Sequence, residues 1–237
     1  MIAFPPDIGA RVLAPSPDES WYFLGDMLEG LLVRHFDAFA ETLGCSFDAS
    51  TGYNICVLAG LYARPAVWAW REHGVLPAYG DSIAFRFNGQ NRYDAVSFTD
   101  FDPIPPSDGG RALAGAVHSF GADLVAALAP HTRIGARGLW AHVTDVFANA
   151  FLPRPPLGTA AMEASREAER VLALAEFPTP GPRWTRFDGA VTGLWTSCCL
   201  WYKVPGEEVC APVCPRITDA ELPGHLAEWR RRHPDRR

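Results

Sequence analysis

The sequence has no surplus of positive charge. Its 21 Lys and Arg residues are outnumbered by 27 Asp and Glu residues, which gives a formal net charge of −6 at pH 7. Proteins that bind nucleic acid normally present a basic field to the phosphate backbone. The composition therefore argues against a nucleic-acid partner.

Export signals and long apolar runs are also missing from the sequence. The first twenty residues contain no charged segment followed by an apolar run, so they do not resemble a signal peptide. No uninterrupted apolar segment approaches the ~18 residues that indicate a transmembrane helix. We therefore expect a cytoplasmic protein with no membrane span, in which thiols stay reduced.

Motifs that bind nucleotide cofactors or mark common hydrolases are absent as well. The sequence contains no GxSxG, no HExxH, no phosphate-binding glycine loop and no GxGxxG after a predicted strand. A bound nicotinamide or flavin is therefore not indicated, and electrons for any redox reaction would have to come from another protein.

Hydrophobic periodicity predicts helices and strands that are segregated along the chain, which is typical of the α+β class. Alternation on both sides of the tetrapeptide NGQN predicts a β-hairpin at 82–99, and RWTRF and VTGLW, within 183–195, are predicted to be extended. Pro65 is expected to divide the second helical region. The predicted helices are at about 24–43, 53–73, 110–129, 138–151, 159–176 and 219–232.

We therefore expect a mostly helical α+β protein with a small antiparallel sheet. The expected organisation is an α+β region over 1–182, with a cysteine-rich region over 183–237 packed on it.

Four of the six cysteines lie within twenty residues near the C-terminus, in the stretch TSCCLWYKVPGEEVCAPVCP. A disulfide between two adjacent cysteines is strained, and a reducing compartment disfavours it. A structural zinc site usually takes two separated cysteine pairs with a short gap inside each pair, and adjacent cysteines serve that poorly. The four cysteines are Cys198, Cys199, Cys210 and Cys214.

An iron–sulfur cluster is the third interpretation of these cysteines. A 2Fe–2S cluster offers two irons that each take two thiolates, so that neighbouring cysteines can reach different irons. The dipeptide Pro205-Gly206 predicts a turn that folds Cys210 back toward the adjacent pair. Trp201 and Tyr202 lie between the pairs, where aromatic side chains would limit the access of water.

The run SCCLWYKVPGEEVCAPVCP resembles the C-terminal cysteine motif of the FhuF-like ferric-siderophore reductases. Two further stretches are similar to that family: YARPAVWAWREHGVLP at 62–77 and GLWAHVTDVFANAF at 138–151. The resemblance therefore extends over most of the chain, and it implies a C-terminal loop that binds a 2Fe–2S cluster through four thiolates. By this resemblance the ligands are Cys198, Cys199, Cys210 and Cys214.

The chain departs from the family pattern at two places. The second cysteine pair of the family is normally separated by two residues, whereas Ala211, Pro212 and Val213 make three here. The stretch 138–151 carries His142 where Asn is expected in relatives. The first departure bears on how Cys214 binds the cluster, and the second on contacts with a substrate.

The activity that the resemblance implies is one-electron reduction of the ferric iron in a siderophore. Siderophores hold ferric iron through hard oxygen donors and ferrous iron far less tightly, so that one electron releases the metal. The implied partners are a ferric siderophore and an electron-donor protein such as a ferredoxin. The alternatives are a non-enzymatic iron–sulfur sensor, a protein clipped by zinc and, last, a relative of the siderophore synthetases, for whose nucleotide-binding portion this chain has no room.

Residues that would meet the substrate are predicted from charge and position. Lys203 is the one cation between the two cysteine pairs, and Trp201 and Tyr202 flank it. These three are expected to attract and pack against an anionic siderophore complex. His142 and Asn149, which share one face of a predicted helix, are the alternative wall of a substrate site.

The remaining residues of interest lie outside the cysteine motif. Arg230, Arg231 and Arg232 begin a basic tail, which is expected either to complement the end of a helix or to dock an acidic electron carrier. Cys45 and Cys56 are isolated in the sequence and are expected to be buried apolar side chains.

Overall fold

The computed structural model describes residues 2, 4–5, 8, 11–16, 19–153, 156, 158–187, 190–208 and 213–232. Over these residues the protein is α+β, mostly helical with small antiparallel sheets, which confirms the predicted class. The elements in chain order are β1 Trp21–Phe23, α1 Leu24–Asp26, α2 Leu32–Leu43, α3 Phe47–His73, β2 Val75–Pro77, β3 Ile83–Phe87, β4 Tyr93–Phe98, β5 Phe101–Pro103, α4 Arg111–Leu128, α5 Gly135–Ala150, α6 Gly158–Leu172, β6 Arg183–Phe187, β7 Ala190–Leu194 and α7 Leu222–Arg232.

The β-hairpin predicted at 82–99 is present, and the two segments predicted to be extended within 183–195 are strands. Strands β3 and β4 form the expected hairpin, with Phe85 opposite Val96, and β1 pairs with the other edge of β3. Strands β6 and β7 form a second hairpin, in which Thr185 lies opposite Thr192. Strands β2 and β5 form a third antiparallel pair. Hairpin β6–β7 leads directly into the cysteines.

Helix α3 is the central helix, and it does not divide at Pro65 as predicted. It begins at a cap in which the Ser46 hydroxyl accepts a hydrogen bond from the Ala49 N–H, at 3.2 Å, and it ends at Gly74, whose φ is 63°. Proline removes one helical hydrogen bond, but Ala63, Ala66 and Pro65 itself are buried in the core. Burial of this long helix outweighs the lost bond, so the prediction of two helices was wrong.

The helix predicted at 24–43 is interrupted. A π-helical turn over Met27–Leu31 separates α1 from α2, and Gly30 within it has a φ of 117°. Only glycine adopts that conformation without strain, so the backbone changes direction there although the apolar spacing continues. Helix α2 then ends at Gly44, as predicted.

Most helices and the three-stranded sheet share one apolar core, whose largest fully buried side chains include Tyr62, Phe36, Phe85, Phe120, Phe147 and Phe151. A smaller cluster lies at the C-terminal end and contains Leu194, Cys214, Ile217, Leu222 and Leu226. Cys214 is therefore part of the apolar interior of the segment that follows β7.

Helix α4 and the turn after it, over Arg111–His131, are long and apolar enough to cross a membrane by length and composition. No other described helix meets that criterion. Helix α4 is nevertheless packed in the main core, where its Leu113, Val117, Phe120 and Leu124 are buried. Such burial is typical of a helix that forms part of a protein interior.

Candidate metal centre

The cysteine loop, residues 196–216, begins where β7 ends. The N–H of Trp195 donates a hydrogen bond to the carbonyl of Val213, at 2.8 Å. This bond joins the residue before the loop to the residue before Cys214, so the two segments that carry Cys198 and Cys214 are neighbours. Cys210 lies outside the described residues.

Three cysteines of the motif, Cys198, Cys199 and Cys214, lie in the described part of the loop. Cys199 and Cys214 are 3% and 1% exposed, and Cys198 is half-buried. Burial raises the pKa of Cys198, and the neighbouring Cys199 and Cys214 raise it further. A bound metal reverses this preference because it stabilises thiolates directly.

The donors present fit an iron–sulfur cluster in their chemistry. Thiolates are the ligands of 2Fe–2S clusters, and the indole Nε1 of Trp195 is buried without a hydrogen-bond partner among the described residues. N–H donors of this kind can bond to cluster sulfurs and change the reduction potential. Within the described ranges, which leave out Cys210, no group of three or more His, Cys, Asp or Glu side chains is arranged to hold a metal ion.

Helix α3 supports the loop through a contact between backbones. A Cβ atom on Gly52 would lie 2.5 Å from the carbonyl oxygen of Cys199, closer than such atoms approach in proteins. Next to Gly52, the ring of Tyr53 stacks on Trp201 with centroids 4.2 Å apart, and Phe39 stacks on Tyr53 at 5.4 Å. The helix therefore holds both Cys199 and the 3₁₀ turn that follows it.

The chain changes direction immediately after the adjacent cysteines. Leu200 has a φ of 60°, in the left-handed region that non-glycine residues rarely adopt. The Leu200 carbonyl accepts a hydrogen bond from the Lys203 N–H, at 2.8 Å. Tertiary contacts around such a residue must compensate its strain, and here the stack of Tyr53 on Trp201 lies beside it.

Asp145 on α5 holds the residues just before the cysteine pair. Its Oδ2 accepts hydrogen bonds from the Thr196 N–H at 2.6 Å and from the Thr196 hydroxyl at 3.1 Å, and the Ser197 N–H donates to the same carboxylate. Asp145 has no exposed surface, and its Oδ1 has no partner in the described structure. Burial raises the pKa of Asp145 to about 7 in spite of these bonds.

His142 and Asn149, predicted as one wall of a substrate site, lie in two different environments: the interior and a cavity wall. His142 has no exposed surface, both of its ring nitrogens lack partners among the described residues, and burial lowers its pKa to about 4. Asn149 lines a cavity; its Nδ2 donates to the Asp145 carbonyl and its Oδ1 accepts from the Gly193 N–H. His142 therefore lies in the interior rather than on a surface that a bulky complex could reach, whereas Asn149 joins α5 to β7 at a cavity wall.

The predicted substrate surface around Lys203 faces solvent. Lys203 is exposed, and Trp201 and Tyr202 are half-buried. The Trp201 Nε1 donates to Glu207 at 3.0 Å, and the Arg216 guanidinium lies 4.4 Å from the centroid of the Tyr202 ring. Both aromatic rings are thus already packed within the protein, and a role for these residues in substrate binding stays a prediction.

The basic tail is described in part. Arg231 forms an ion pair with Glu228, one turn earlier on α7. Nothing is described of the side chains of Arg230 and Arg232. Their docking role stays a prediction.

Cys56 is isolated in the sequence but not in space. Its thiol donates to the Gly52 carbonyl at 3.1 Å. Burial raises its pKa well above the usual value, and Cys199, Asp145 and Cys198 add to the shift. Cys45 and Cys56 are both half-buried, less enclosed than expected. The sequence spacing could not predict that α3 brings Cys56 near Cys198 and Cys199, because these residues are far apart along the chain.

Residues 196–216 match a protein-family model described as the FhuF 2Fe-2S C-terminal domain. The match is short, but it confirms over the cysteine loop the resemblance inferred from the cysteine spacing, and it indicates an iron–sulfur protein related to siderophores. A comparison with curated proteins gives no match.

Among solved structures, the chain is similar to the aerobactin synthetase IucC from a hypervirulent pathotype of Klebsiella pneumoniae. The TM-score is 0.45 at 14% identity, over 79% of this chain and 37% of that one. The chain thus spans little more than a third of that protein's length, and a TM-score below 0.5 is too low to support an inference.

Substitution of Asp145 tests its role as the clamp on the loop. Asp145→Asn retains an acceptor for the Thr196 N–H, whereas Asp145→Ala leaves donors of the loop unpaired. A buried unpaired donor costs roughly 1–3 kcal/mol. At pH 4, where the Asp145 carboxyl group is protonated, we expect Asp145→Ala to lower the free energy of unfolding by about 2 kcal/mol and Asp145→Asn by less than about 1 kcal/mol in urea titrations. Equal losses in both variants would contradict the clamp.

The difference in stability between the wild type and Asp145→Asn should depend on pH. Because the folded-state pKa of Asp145 is raised from 3.8 to about 7, its contribution to stability is complete below pH 3.8 and is lost as the pH rises toward 7. Relative to Asp145→Asn, the wild type should lose at least about 2 kcal/mol between pH 4 and pH 7. Parallel pH profiles for the two proteins would show that this carboxyl group does not titrate in that range.

Proposed function

We propose that the protein reduces the ferric iron of a siderophore by one electron, using a 2Fe–2S cluster held in the cysteine loop. The observation that carries the proposal is the match of residues 196–216 to the FhuF 2Fe-2S C-terminal domain, because this segment contains Cys198, Cys199, Cys210 and Cys214. When bound, such a cluster supplies one electron at a time, and iron in the ferrous state leaves hard oxygen donors readily.

The chain's own residues hold and shield the centre. Cys198, Cys199 and Cys214 would supply thiolates together with Cys210. Burial of Cys199 and Cys214 keeps water from two of these sulfurs, and solvent exclusion is one of the factors that set a cluster's potential.

The supports of the loop lie outside it. Gly52 lets α3 approach the Cys199 backbone, and Asp145 binds the two residues before the cysteine pair. Because both supports lie on core helices, the ligand-bearing backbone is held in place before the metal binds. Such preorganisation is what a metal site needs to keep its geometry.

The partners and compartment follow from this chemistry as further parts of the proposal. The electron comes from an acidic carrier such as a ferredoxin, which docks on the tail at Arg230, Arg231 and Arg232. The substrate is a ferric siderophore that approaches beside the cysteine loop, and the reaction takes place in the cytoplasm, where thiols are reduced.

Anaerobic single-turnover mixing tests the proposed reaction. Cluster-loaded protein is reduced with dithionite, freed of excess reductant and mixed with a panel of ferric siderophores, while a chromogenic chelator reports ferrous iron. We expect reoxidation of the cluster in the visible spectrum and release of about one ferrous iron per cluster, as one-electron chemistry requires.

The controls separate the alternatives. Protein reduced in the same way but carrying Cys199→Ser should release ferrous iron at the background rate. A cluster that is reduced by dithionite but reacts with no siderophore in the panel would favour an iron–sulfur sensor. Colourless protein that contains zinc would favour a structural clip.

A further inference from the structure

Two cavities share part of their lining, and the smaller one reaches Trp195 at the base of the cysteine loop. The larger, of about 780 Å³, lies between α3, the end of α5 and α6. The smaller, of about 250 Å³, reaches Cys56 and Trp195. Ile8, Arg64 and Ala150 line both, so the cavities adjoin each other at Arg64.

The smaller cavity ends at side chains that pack near the adjacent cysteines. Cys56, which lines it, is within electrostatic range of Cys198 and Cys199. Trp195, which also lines it, is the residue at the base of the cysteine loop. The smaller cavity therefore lies between the larger cavity and the candidate metal centre.

The lining of the smaller cavity carries one sign of charge. Arg11 and Arg64 are part of it, and no carboxylate is found among the described residues that line it. The Arg64 guanidinium also points a nitrogen at the Asn149 carbonyl, 3.5 Å away, which places it at the junction of the cavities. An anionic group at this junction would find guanidinium donors, whereas a cation would be repelled.

The larger cavity combines charge with apolar surface. Four arginines and three glutamates line it: Arg64, Arg71, Arg166 and Arg170, with Glu72, Glu163 and Glu167. Arg71 and Arg170 each form an ion pair with Glu167, whereas Arg166 is exposed and forms no ion pair with a described residue. The apolar part of the wall includes Trp68, Phe151, Leu152 and Pro153. A volume of about 780 Å³ lies within the range of ~300–1,000 Å³ that is usual for sites of organic ligands.

We propose that the two cavities form the substrate site and that the substrate is an anionic, carboxylate-bearing ferric chelate. The inference rests on the proposed function, and it assigns the recognition of substrate charge to Arg64 and Arg166 rather than to Lys203. The guanidinium groups bind carboxylates that the chelator presents, while the apolar wall packs against its organic shell.

Binding of redox-inert complexes tests the site without electron transfer. Gallium(III) has the charge and nearly the size of ferric iron, but a reduced cluster does not reduce it. Cluster-loaded, full-length protein is titrated calorimetrically with the anionic gallium(III) complex of a bis-citrate chelator and with that of a linear trihydroxamate, which bears no carboxylate. We expect the bis-citrate complex to bind at least about tenfold more tightly, because only it offers charge-assisted bonds to arginine.

Three arginine variants locate the binding. Arg64→Gln should weaken binding of the bis-citrate complex by about tenfold or more, and Arg166→Gln by about threefold, because each removes a guanidinium donor. Arg34→Gln makes the same change at an exposed arginine of α2 outside both cavities, and should stay within about twofold of wild type. Far-UV circular dichroism and iron content check that Arg64→Gln is folded, and Arg166 is exposed, so that its variant reports independently.

Changes below about twofold in both Arg64→Gln and Arg166→Gln would overturn the assignment, as would equal or tighter binding of the trihydroxamate complex. Failure of the reductase proposal gives a different result. If the protein binds the gallium complexes as expected but reduces no ferric complex, the binding site is supported and the reductase activity is contradicted. If Arg64→Gln reduces ferric complexes with an unchanged KM, the reductase activity is supported and the binding site is contradicted.

Discussion

Cys199→Ser protein is expected to be purified without cluster iron and with visible absorbance lowered by about tenfold or more, because each iron of a 2Fe–2S cluster needs two thiolates. Cys199 is 3% exposed, and its backbone is held against Gly52, so another side chain has little room to move into its place. Iron and sulfide analysis with visible absorption measures the loss. Cys198→Ser and Cys210→Ser should behave in the same way.

Cys45→Ser is the matched control for this series, because Cys45 is half-buried and lies outside the cysteine loop. It should retain the full spectrum and iron content. Cys56→Ser should also retain iron, since its thiol is already bonded to the Gly52 carbonyl. The decisive member is Cys214→Ser: a full spectrum in that variant would show that the three-residue spacing has removed Cys214 from the ligand set.

Gly52→Ala should lower the free energy of unfolding by about 3 kcal/mol and reduce iron content by at least about half. The new Cβ would lie 2.5 Å from the carbonyl oxygen of Cys199, and a backbone atom, unlike the end of a flexible side chain, cannot move aside without displacing the loop. Overpacking of a fitted contact typically costs about 1–3 kcal/mol, and a clash between backbones belongs at the upper end. Urea unfolding and iron analysis of the purified variant provide the measurement.

Gly60→Ala makes the same chemical change eight residues further along α3. There the nearest atom to the new Cβ would be a methyl carbon of Val146 at 3.6 Å, which is an ordinary contact. Alanine is favoured over glycine inside a helix by up to about 1 kcal/mol, so this variant should be as stable as wild type or more stable, with full iron content. Similar behaviour of the two variants would mean that the contact between Gly52 and Cys199 does not hold the loop.

Local patterns in the sequence determined much of what the structure contains. The hairpin around NGQN, the helix ends at Gly44 and Gly74, and the extended pair β6–β7 were all predictable, because each depends on residues within a few positions of one another. The cysteine spacing likewise showed the resemblance to the FhuF-like cysteine motif, which the match over residues 196–216 confirms. The same spacing raised the possibility of a cluster before any contact was known.

Tertiary structure alone decided how that loop is supported. Gly52 and Asp145 lie on different helices, far along the chain from Thr196 and Cys199, and no periodic pattern marks either of them as a partner of the loop. The same packing keeps α3 continuous at Pro65. It also buried His142 and left Asn149 on a cavity wall. Periodicity reports which face of an element is apolar, but which elements lie against each other depends on burial summed over the whole core, and so the supports and the arginine-lined cavities emerged only from the folded chain.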